Sequence, residues 1–501
     1  MTTNKNSSDR AIATAIALQL QQAGFIAVFA GGCVRDRFLG LTPKDFDIAT
    51  NATPEQILKV FAGDTVLSVG AQFGVIIIIR DGVQVEVATL RTDGQYADGR
   101  RPDQVAFVTD ADPLVALKAD ASRRDLTVNA MFEDPITGEV YDFFGGQDDI
   151  KARLLRTVGR PSERFAEDRL RMLRVARFVG KLGFTVADEL RAALRAHAAD
   201  LKPGLVVSWE RVRDELDGML MSKHPNACLN LLMEVGLLAE ILPEMMDTND
   251  PVVGRQDPIW HPEGLVWKHT LLVLAELTFQ GASFELLLAG LLHDIAKPMT
   301  MAVEVVDGIE RVHAYGHAEK GAVIADAICK RLKLSSKQVF RVSEIVRLHM
   351  QMHTFPEGTV KRSKLVRLME REDIMDLIMM QHADSLGTGR TQEEREASSH
   401  KAWYLAKLDE VRNDPNPALR AGAVMLVDGH MIKEFGFKQG PVFRVIKEAA
   451  FEAQHGGEFA DVAGARMWLE AHAQEFRDYK PEAQTAGDAA KEPVVSGKRC
   501  C

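Results

Sequence analysis

Several features that mark other classes of protein are missing from this chain of 501 residues. It contains no apolar run of about 18 residues, which predicts that no segment spans a membrane and that no membrane is a partner. The N-terminal stretch is polar and lacks an apolar signal segment. The five cysteines show neither paired nor zinc-like spacing. We therefore expect a cytoplasmic protein without a disulfide framework.

The chain also lacks an excess of positive charge, since its net charge is −10. This argues against a surface that is basic throughout and grips nucleic acid. Between Lys151 and Lys181, however, ten Arg or Lys residues stand against three acids, a local excess of seven. A solvated helix face would show the same pattern. We expect a contact surface for phosphates, because the stretch directly follows a candidate active site.

Length and periodicity predict several domains. The pattern predicts a helix over 11–23 ended by Gly24, a strand over 25–30, and a hairpin over 69–91 with Asp81-Gly82 at its turn. Beyond about residue 150 helical periodicity dominates. The predicted divisions are a head over 10–155, a helical neck over 156–250, a histidine-rich region over 255–410, a helical segment over 411–478, and a disordered tail over 479–501.

The first group of candidate functional residues lies near the N-terminus. Gly31-Gly32 follows the predicted strand, Asp45 and Asp47 come next, and Glu86 lies in the hairpin. Paired glycines at a strand-to-helix turn let a triphosphate approach backbone N–H groups. Carboxylates at i and i+2 of a strand share a face and could hold two divalent ions. This order of motifs is similar to that of polymerase-beta-like nucleotidyltransferases.

Seven ordered blocks over roughly residues 20–220 narrow the resemblance. They are GGCVRDRFLG, KDFDIAT, RTDGQYADGRRPD, SRRDLTVNAM, YDFFGG, EDRLRMLRVARF and ERVRDEL. The chain thereby resembles the class II CCA-adding enzyme and poly(A) polymerase family. The resemblance implies a multidomain, mainly α protein with a small α/β polymerase-beta-like nucleotidyltransferase head, an all-α neck and body, and an all-α C-terminal HD domain.

The resemblance also implies roles for individual residues. Asp45, Asp47 and Glu86 would be catalytic, with Asp45 and Asp47 holding Mg²⁺. Arg123, Arg124 and Asp125 would receive triphosphate and ribose, and Glu167, Asp168 and Arg171 would replace a nucleic-acid template, with Asp168 and Arg171 on one helix face. Glu210, Arg211 and Glu215 would orient that template set. The remaining implied nucleotide-binding residues are Gly31, Gly32, Arg35, Asn129 and Arg174. The segment 91–103 would be a mobile loop that favours terminal A addition.

A second group of candidate residues is histidine-rich: eight of the fourteen histidines fall between His261 and His382. Imidazole with carboxylate suits a hydrolytic metal site. The pattern resembles HD-domain phosphohydrolases, which implies a divalent metal (Mg, Mn, Ni, Co or Fe). The implied ligands of a first metal are His269, His293, Asp294 and Asp384, and those of a second metal are His317 and His349. Lys297 would bind the substrate phosphate. The other four histidines of this region are interpreted as surface or packing residues: His261, His313, His353 and His382.

The family implies an enzyme that adds CMP and AMP from CTP and ATP to the 3′ end of tRNA, with an HD phosphohydrolase acting on RNA ends or nucleotides. Three alternatives stay open: a poly(A) polymerase, an A-only enzyme, and an HD hydrolase whose head merely binds RNA. A CC-only enzyme is disfavoured by the segment 91–103. The sequence decides neither between a monomer and a dimer nor the use of the KRCC end at 498–501.

Overall fold

The computed structural model describes residues 2–70, 73–94, 105–109, 112–356 and 360–479. The chain divides into two compact units, one comprising Met1–Met350 with Met379–Ser399 and the other Gln351–Ile378 with His400–Cys501. Finer domain bounds stay a prediction. The predicted loop core at 95–104 and the predicted disordered tail from residue 480 lie outside the described residues. Within the described part of the chain, no helix combines the length and hydropathy needed to cross a bilayer.

The N-terminal part of the first unit contains a small mixed sheet with helices around it. Its elements are α1 (Thr2–Gln22), β1 (Ala27–Ala30), α2 (Gly32–Phe38), β2 (Ile48–Thr50), α3 (Pro54–Val60), β3 (Thr65–Gly70), β4 (Val75–Arg80), β5 (Val83–Thr89), β6 (Arg91–Asp93), β7 (Val105–Phe107), α4 (Pro113–Ser122), β8 (Met131–Glu133), β9 (Val140–Asp142) and α5 (Gly146–Ala152).

The sheet has the strand order β3-β4-β5-β2-β1-β8-β9. Only the β2–β5 pair is parallel, with Ile48 opposite Val87. The predicted hairpin is confirmed: β4 and β5 pair through a turn in which Asp81 and Gly82 both have positive φ, as a two-residue I′ turn requires. The predicted loop start is wrong at Arg91–Asp93, which forms β6 and pairs with β7.

After α5, helices replace strands, as expected. The elements that follow in the first unit are β10 (Leu154–Leu155), α6 (Pro161–Glu167), α7 (Arg171–Leu182), β11 (Thr185–Val186), α8 (Asp188–His197), α9 (Trp209–Leu220), α10 (Pro225–Glu234), α11 (Leu237–Ile241), α12 (Val266–Phe279), α13 (Phe284–Leu292), α14 (Lys297–Thr300), β12 (Ala302–Val306), β13 (Ile309–His313) and α15 (His317–Arg331). The antiparallel pair β12–β13 is an addition to an otherwise helical histidine-rich region.

The last elements are helical and complete the mainly α architecture that the sequence predicts. They are α16 (Ser336–Thr354), α17 (Arg362–Met369), α18 (Ile374–Leu386), α19 (Gln392–Ser398), α20 (Lys401–Arg412), α21 (Gly429–Glu434), α22 (Pro441–Gly456) and α23 (Val462–Asp478). The second unit has its own apolar core, in which Ile446, Leu469 and Phe476 are buried.

Candidate functional site

Three carboxylates converge at one end of the β2–β5 pair. Asp45 and Asp47 lie in the extended segment just before β2, so the expectation that they sit on a strand is wrong. The parallel register pairs Ile48 with Val87, which brings Asp47 level with Glu86. Burial raises the pKa of Asp47 to about 6, and the negative charges of Asp45 and Glu86 add to the shift. Mutual repulsion of this kind is what a bound cation relieves.

The glycine pair forms the turn between β1 and α2. Gly31 has φ 69° and ψ −114°, and a Cβ added there would lie 2.9 Å from Nη1 of Arg124. Only glycine fits both conditions. The N–H of Gly31 donates to the Met131 carbonyl at 3.1 Å, so it is not the free donor that the motif predicts. The N–H groups of the first turn of α2, which begins at Gly32, remain the candidates for an anion.

Arg35 lies in the protein interior, with 2% of its surface exposed. Its Nε donates to Asp36 at 2.8 Å, its Nη1 donates to Oδ1 of Asn129 at 2.5 Å, and its guanidinium lies 5.5 Å from the Phe178 ring centre. This environment suits a support for the surrounding segments. Direct nucleotide contact by Arg35 and Asn129 stays a prediction.

One buried carboxylate orients the two arginines of the predicted nucleotide site. Asp120 is 1% exposed and accepts from Arg123 through Oδ1 (2.6 Å to Nη2) and from Arg124 through Oδ2 (3.0 Å to Nε). Burial alone would raise the pKa of Asp120, but the two guanidiniums lower it. Sequence reasoning missed Asp120, although its spacing of three and four residues from the arginines at the end of α4 is the signal that could have found it.

Asp125 is the centre of a second ion-pair network. Its Oδ2 accepts from Nε and Nη2 of Arg174 at 2.9 and 2.6 Å, and its Oδ1 accepts from the N–H of Leu126 at 2.7 Å. Burial opposes the charge, yet Arg174 lowers the pKa of Asp125 to about 2. Glu215 extends the network, because its Oε2 accepts from Nε of Arg177 at 2.7 Å and its Oε1 lies 4.0 Å from Arg174.

The predicted template residues surround a break between two helices. Asp168 has extended backbone after α6, so the expected helix face shared with Arg171 is wrong. Oδ1 of Asp168 instead accepts from the N–H of Leu170 at 3.0 Å, in the turn that precedes α7. Oδ2 of Asp168 accepts from Nη2 of Arg211 at 2.8 Å.

Arg171, the first residue of α7, is fixed by two acceptors. Its Nη1 donates to Glu167 at 2.6 Å and its Nη2 donates to the Arg123 carbonyl at 2.8 Å. Burial raises the pKa of Glu167, and Arg171 opposes the shift. Glu210, predicted as a further support, is exposed and takes no part in these contacts.

The second cluster is a group of four histidines around Asp294. His269 and His293 are 0% exposed, His349 is 1% exposed and His317 is 6% exposed. The Nδ1 atom of every ring faces a backbone carbonyl at 2.6 to 3.1 Å. A carbonyl only accepts, so each Nδ1 carries the proton and each Nε2 of a neutral ring presents a lone pair to the centre.

The Nε2 atoms form two close pairs. His269 and His293 are 3.3 Å apart, and His317 and His349 are 3.2 Å apart. Atoms that each lie about 2.1 Å from one ion are roughly 3 Å from each other. Two opposed lone pairs at this separation repel unless a proton or a metal ion lies between them. The donor set therefore fits metal ions.

Asp294 lies between the two pairs. Its Oδ2 is 3.1 Å from Nε2 of His293, and its Oδ1 is 3.3 Å from Nε2 of His317. Asp384 joins the first pair, with Oδ1 2.9 Å from Nε2 of His269. Both carboxylate oxygens of Asp294 are buried, and besides the histidine Nε2 atoms the nearby charged group is Nζ of Lys297, 2.7 Å from Oδ2. Asp294 would thus be among the residues that hold a metal, whose positive charge would stabilise its buried carboxylate.

Groups in which three His, Cys, Asp or Glu ligand atoms lie within 4.8 Å of one another occur, among the described residues, only around this cluster. Asp45, Asp47 and Glu86 are not among these groups. One such group was missed by the sequence: His261 and Glu263 adjoin His269, with Oε1 of Glu263 2.8 Å from Nδ1 of His261 and 3.2 Å from Nδ1 of His269. Lys297 lies 2.7 Å from Oδ2 of Asp294.

The remaining histidines with a surface interpretation lie among other partners. The His313 ring stacks on Tyr315 at 5.2 Å, and Nδ1 of His382 is 2.7 Å from Oγ of Ser399. His353 lies on α16 and is half-buried. None of the three belongs to a group of potential metal ligands in the described part of the chain.

Comparison with known protein families matches three parts of the chain in order. The Poly A polymerase head domain matches residues 27–156, the probable RNA and SrmB-binding site of polymerase A matches 183–248, and the HD domain matches 266–413. The chain therefore contains, in this order, the head, RNA-binding and HD domains that the sequence resemblance implies. The predicted family and fold class are thereby confirmed.

Individual proteins are also similar to this chain. A CCA-adding enzyme of Geobacillus thermodenitrificans is 41% identical over 225 residues, which is 45% of this chain and 53% of the relative, and one of Bacillus subtilis is 40% identical over 222 residues, 44% of this chain and 53% of the relative. The chain thus matches about half the length of these curated relatives. The Bacillus stearothermophilus CCA-adding enzyme in complex with CTP has a TM-score of 0.67 at 26% identity, covering 93% of this chain and 98% of that one.

Proposed function

We propose that this family member adds CMP and AMP from CTP and ATP to the 3′ end of tRNA without a nucleic-acid template. The convergence of Asp45, Asp47 and Glu86 beside the Asp120-anchored arginines carries the proposal. The similarity to CCA-adding enzymes, one of them solved in complex with CTP, supports the choice of substrates. A poly(A) polymerase or an A-only enzyme would use the same head and is the alternative.

Each part of the head has a task in this reaction. Asp45 and Asp47, with Glu86 beside them, would hold Mg²⁺, which supplies activation of the attacking hydroxyl and neutralises the leaving phosphates. Arg123 and Arg124 would bind the triphosphate, since guanidinium matches phosphate oxygens.

The neck residues would select the sugar and the base. Asp125, held in its charged form by Arg174, would accept from the ribose hydroxyls. Asp168 offers acceptors and Arg171 offers donors to the Watson–Crick edge of C or A. A base with mismatched groups would leave buried polar atoms unpaired, which disfavours its binding.

The test is incorporation of labelled CMP and AMP into tRNA that ends at its discriminator base, with CTP and ATP singly and together. Asp45→Ala and Asp47→Ala should each lower incorporation by at least a hundredfold. Asp148→Ala is the matched control, because this head aspartate is 82% exposed and pairs with exposed Lys151. Unchanged incorporation by Asp45→Ala and Asp47→Ala would refute the assignment of the head.

We further propose that the HD cluster is a divalent-metal phosphohydrolase acting on nucleotides or RNA 3′ ends, such as 2′,3′-cyclic phosphates and 2′-phosphates. The opposed Nε2 pairs around Asp294 carry this proposal. His269, His293, Asp294 and Asp384 would hold one ion, and His317 and His349 with Asp294 a second. Such ions supply an activated water and polarise the phosphate. An HD hydrolase whose head only binds RNA remains the competing function.

The HD assignment is tested by metal analysis together with hydrolysis. His293→Ala and Asp294→Ala should lose the bound metal and lower hydrolysis of cyclic nucleotide at least a hundredfold, while CMP and AMP incorporation persists. His382→Ala is the matched control, since its ring bonds Ser399 outside the cluster. Full metal content and full hydrolysis in His293→Ala and Asp294→Ala would overturn the site.

A further inference from the structure

A segment without regular secondary structure lies against the HD cluster just before α12. We call residues 254–264 the strap. It begins with an antiparallel bridge between Arg255 and Leu265, and the N–H of Gln256 donates to the Gly264 carbonyl at 2.9 Å. Its far end reaches the metal-site residues, because the ring of His261 lies 4.8 Å from that of His269. The strap therefore borders the site without belonging to the implied ligand set.

Gln256 presents an unused donor beside that site. The residue is 8% exposed, and its Oε1 accepts from Nζ of Lys297 at 2.8 Å. The same Nζ lies 2.7 Å from Oδ2 of Asp294. The Nε2 of Gln256 is buried and has no hydrogen-bond partner among the described residues. A buried donor left unpaired is unfavourable, because it has lost its hydrogen bond to water. An acceptor brought by a ligand, such as a phosphate oxygen, would remove that cost.

Trp260 presents a flat apolar surface next to His261 in the strap. It is 55% exposed, and the guanidinium of Arg390 lies 5.4 Å from the centre of its ring. The two segments are tied together next to the cluster, since the N–H of Gly389 donates to Oε2 of Glu263 at 2.8 Å. An exposed indole flanked by a guanidinium is a surface on which nucleobases stack.

We propose that the strap and Arg390 form a nucleotide-binding wall of the HD site. Trp260 and Arg390 take the base, and Gln256 and Lys297 take the oxygens of a phosphate on the ribose. The ligand class is a nucleotide with a terminal phosphate, free or at an RNA 3′ end. This inference rests on the proposed phosphohydrolase and adds which residues distinguish a nucleotide from other phosphate esters.

Binding is measured by calorimetry on the Mn²⁺-loaded full chain with two ligands, adenosine 2′-phosphate and the base-free ester β-glycerophosphate. Trp260→Ala should weaken binding of the nucleotide about ten- to a hundredfold, the effect of losing one base–aromatic stack. It should leave β-glycerophosphate binding unchanged. Trp260→Phe keeps a ring and should stay within about threefold of wild type.

Gln256→Leu separates the two halves of the wall. It should weaken both ligands about three- to tenfold, since a hydrogen bond to phosphate is lost in each case. Phe279→Ala is the matched control for Trp260→Ala, because Phe279 is an aromatic residue that is 87% exposed at the end of α12. Calorimetry with an RNA oligonucleotide ending in a 2′-phosphate shows whether the wall also accepts an RNA end, with the same loss in Trp260→Ala expected.

The proposed nucleotide-binding wall and the proposed phosphohydrolase activity can be refuted separately, because they predict different results in the binding and hydrolysis experiments. The proposed wall is overturned if Trp260→Ala binds adenosine 2′-phosphate as tightly as the wild type does. It is also overturned if Trp260→Ala loses affinity for adenosine 2′-phosphate and for β-glycerophosphate to the same extent. Selective loss of nucleotide affinity without any hydrolysis by the wild type keeps the wall and removes the hydrolase. Hydrolysis of cyclic nucleotide that is equally fast in wild type and Trp260→Ala keeps the hydrolase and removes the wall.

Discussion

Removing the charge of Asp125 should destabilise the head by an amount that follows from its pKa. Arg174, with smaller contributions from Asn129 and the N–H of Leu126, holds the pKa at about 2 against the effect of burial, compared with an ordinary value of 3.8. At roughly 1.4 kcal/mol per pKa unit, this shift is worth about 2 kcal/mol at pH 7. Arg174 keeps 34% of its side chain exposed, so water partly rescues it when Asp125 is replaced. We therefore expect about 2 kcal/mol of coupling, below the 3–5 kcal/mol typical of breaking a fully buried pair.

The assay is a double-mutant cycle with Asp125→Asn, Arg174→Gln and both together, using urea unfolding followed by circular dichroism. The pair energy should also depend on pH in one direction. Because the folded pKa lies below the unfolded value, the stabilisation is present above about pH 4 and is lost as the pH falls towards 2. A coupling under about 0.5 kcal/mol at pH 7, the level of an exposed pair, would refute the reasoning.

Three further predictions concern other parts of the molecule. Gly31→Ala should lower the free energy of unfolding by about 1–3 kcal/mol, because the added Cβ would lie at a positive φ and 2.9 Å from Arg124. Gly32→Ala should be tolerated, because the nearest atom to its added Cβ would be 3.7 Å away. Thermal melts of the two variants test this difference. Asp120→Ala should raise the KM for CTP and ATP at least tenfold, because Arg123 and Arg124 lose their common anchor; an unchanged KM, with Asp148→Ala as the control, would contradict it. Chelation should lower the melting temperature of the wild type, because the opposed histidine pairs lose the ions between them. In His293→Ala, scanning calorimetry should record little change on chelation, and equal shifts in both proteins would count against the site.

The parts of the fold that the sequence predicts correctly are those that local chemistry decides. Asp81-Gly82 specifies a turn with two positive φ angles, so the hairpin follows from neighbouring residues alone. The prediction that Asp168 lies on the same helix as Arg171 is wrong, and local chemistry again explains why. Its spacing from Arg171 is typical of one helix, yet Asp168 has extended backbone between α6 and α7, and its carboxylate accepts the Leu170 N–H in the turn before α7.

Burial, and contacts between residues far apart in the sequence, could not be predicted from local sequence patterns. Arg35 lies in a motif that implies nucleotide contact, but the partner that holds it, Asn129, is 94 residues away in sequence. The strap shows a related limit: His261 and Glu263 have ordinary surface patterns, and only the folded strap, closed by the bridge between Arg255 and Leu265, shows them beside His269. The HD motif indicated the ligand types, whereas their paired arrangement around Asp294 required the three-dimensional structure.

The most direct test of the central claim is sequencing of the tRNA 3′ end after incubation with both CTP and ATP, starting from tRNA that ends at its discriminator base. The account predicts that wild-type protein adds C, C and A in that order and that Asp47→Asn adds nothing, while Asp148→Asn behaves as wild type. A run of A residues from the wild type, or equal extension by Asp47→Asn, would contradict it.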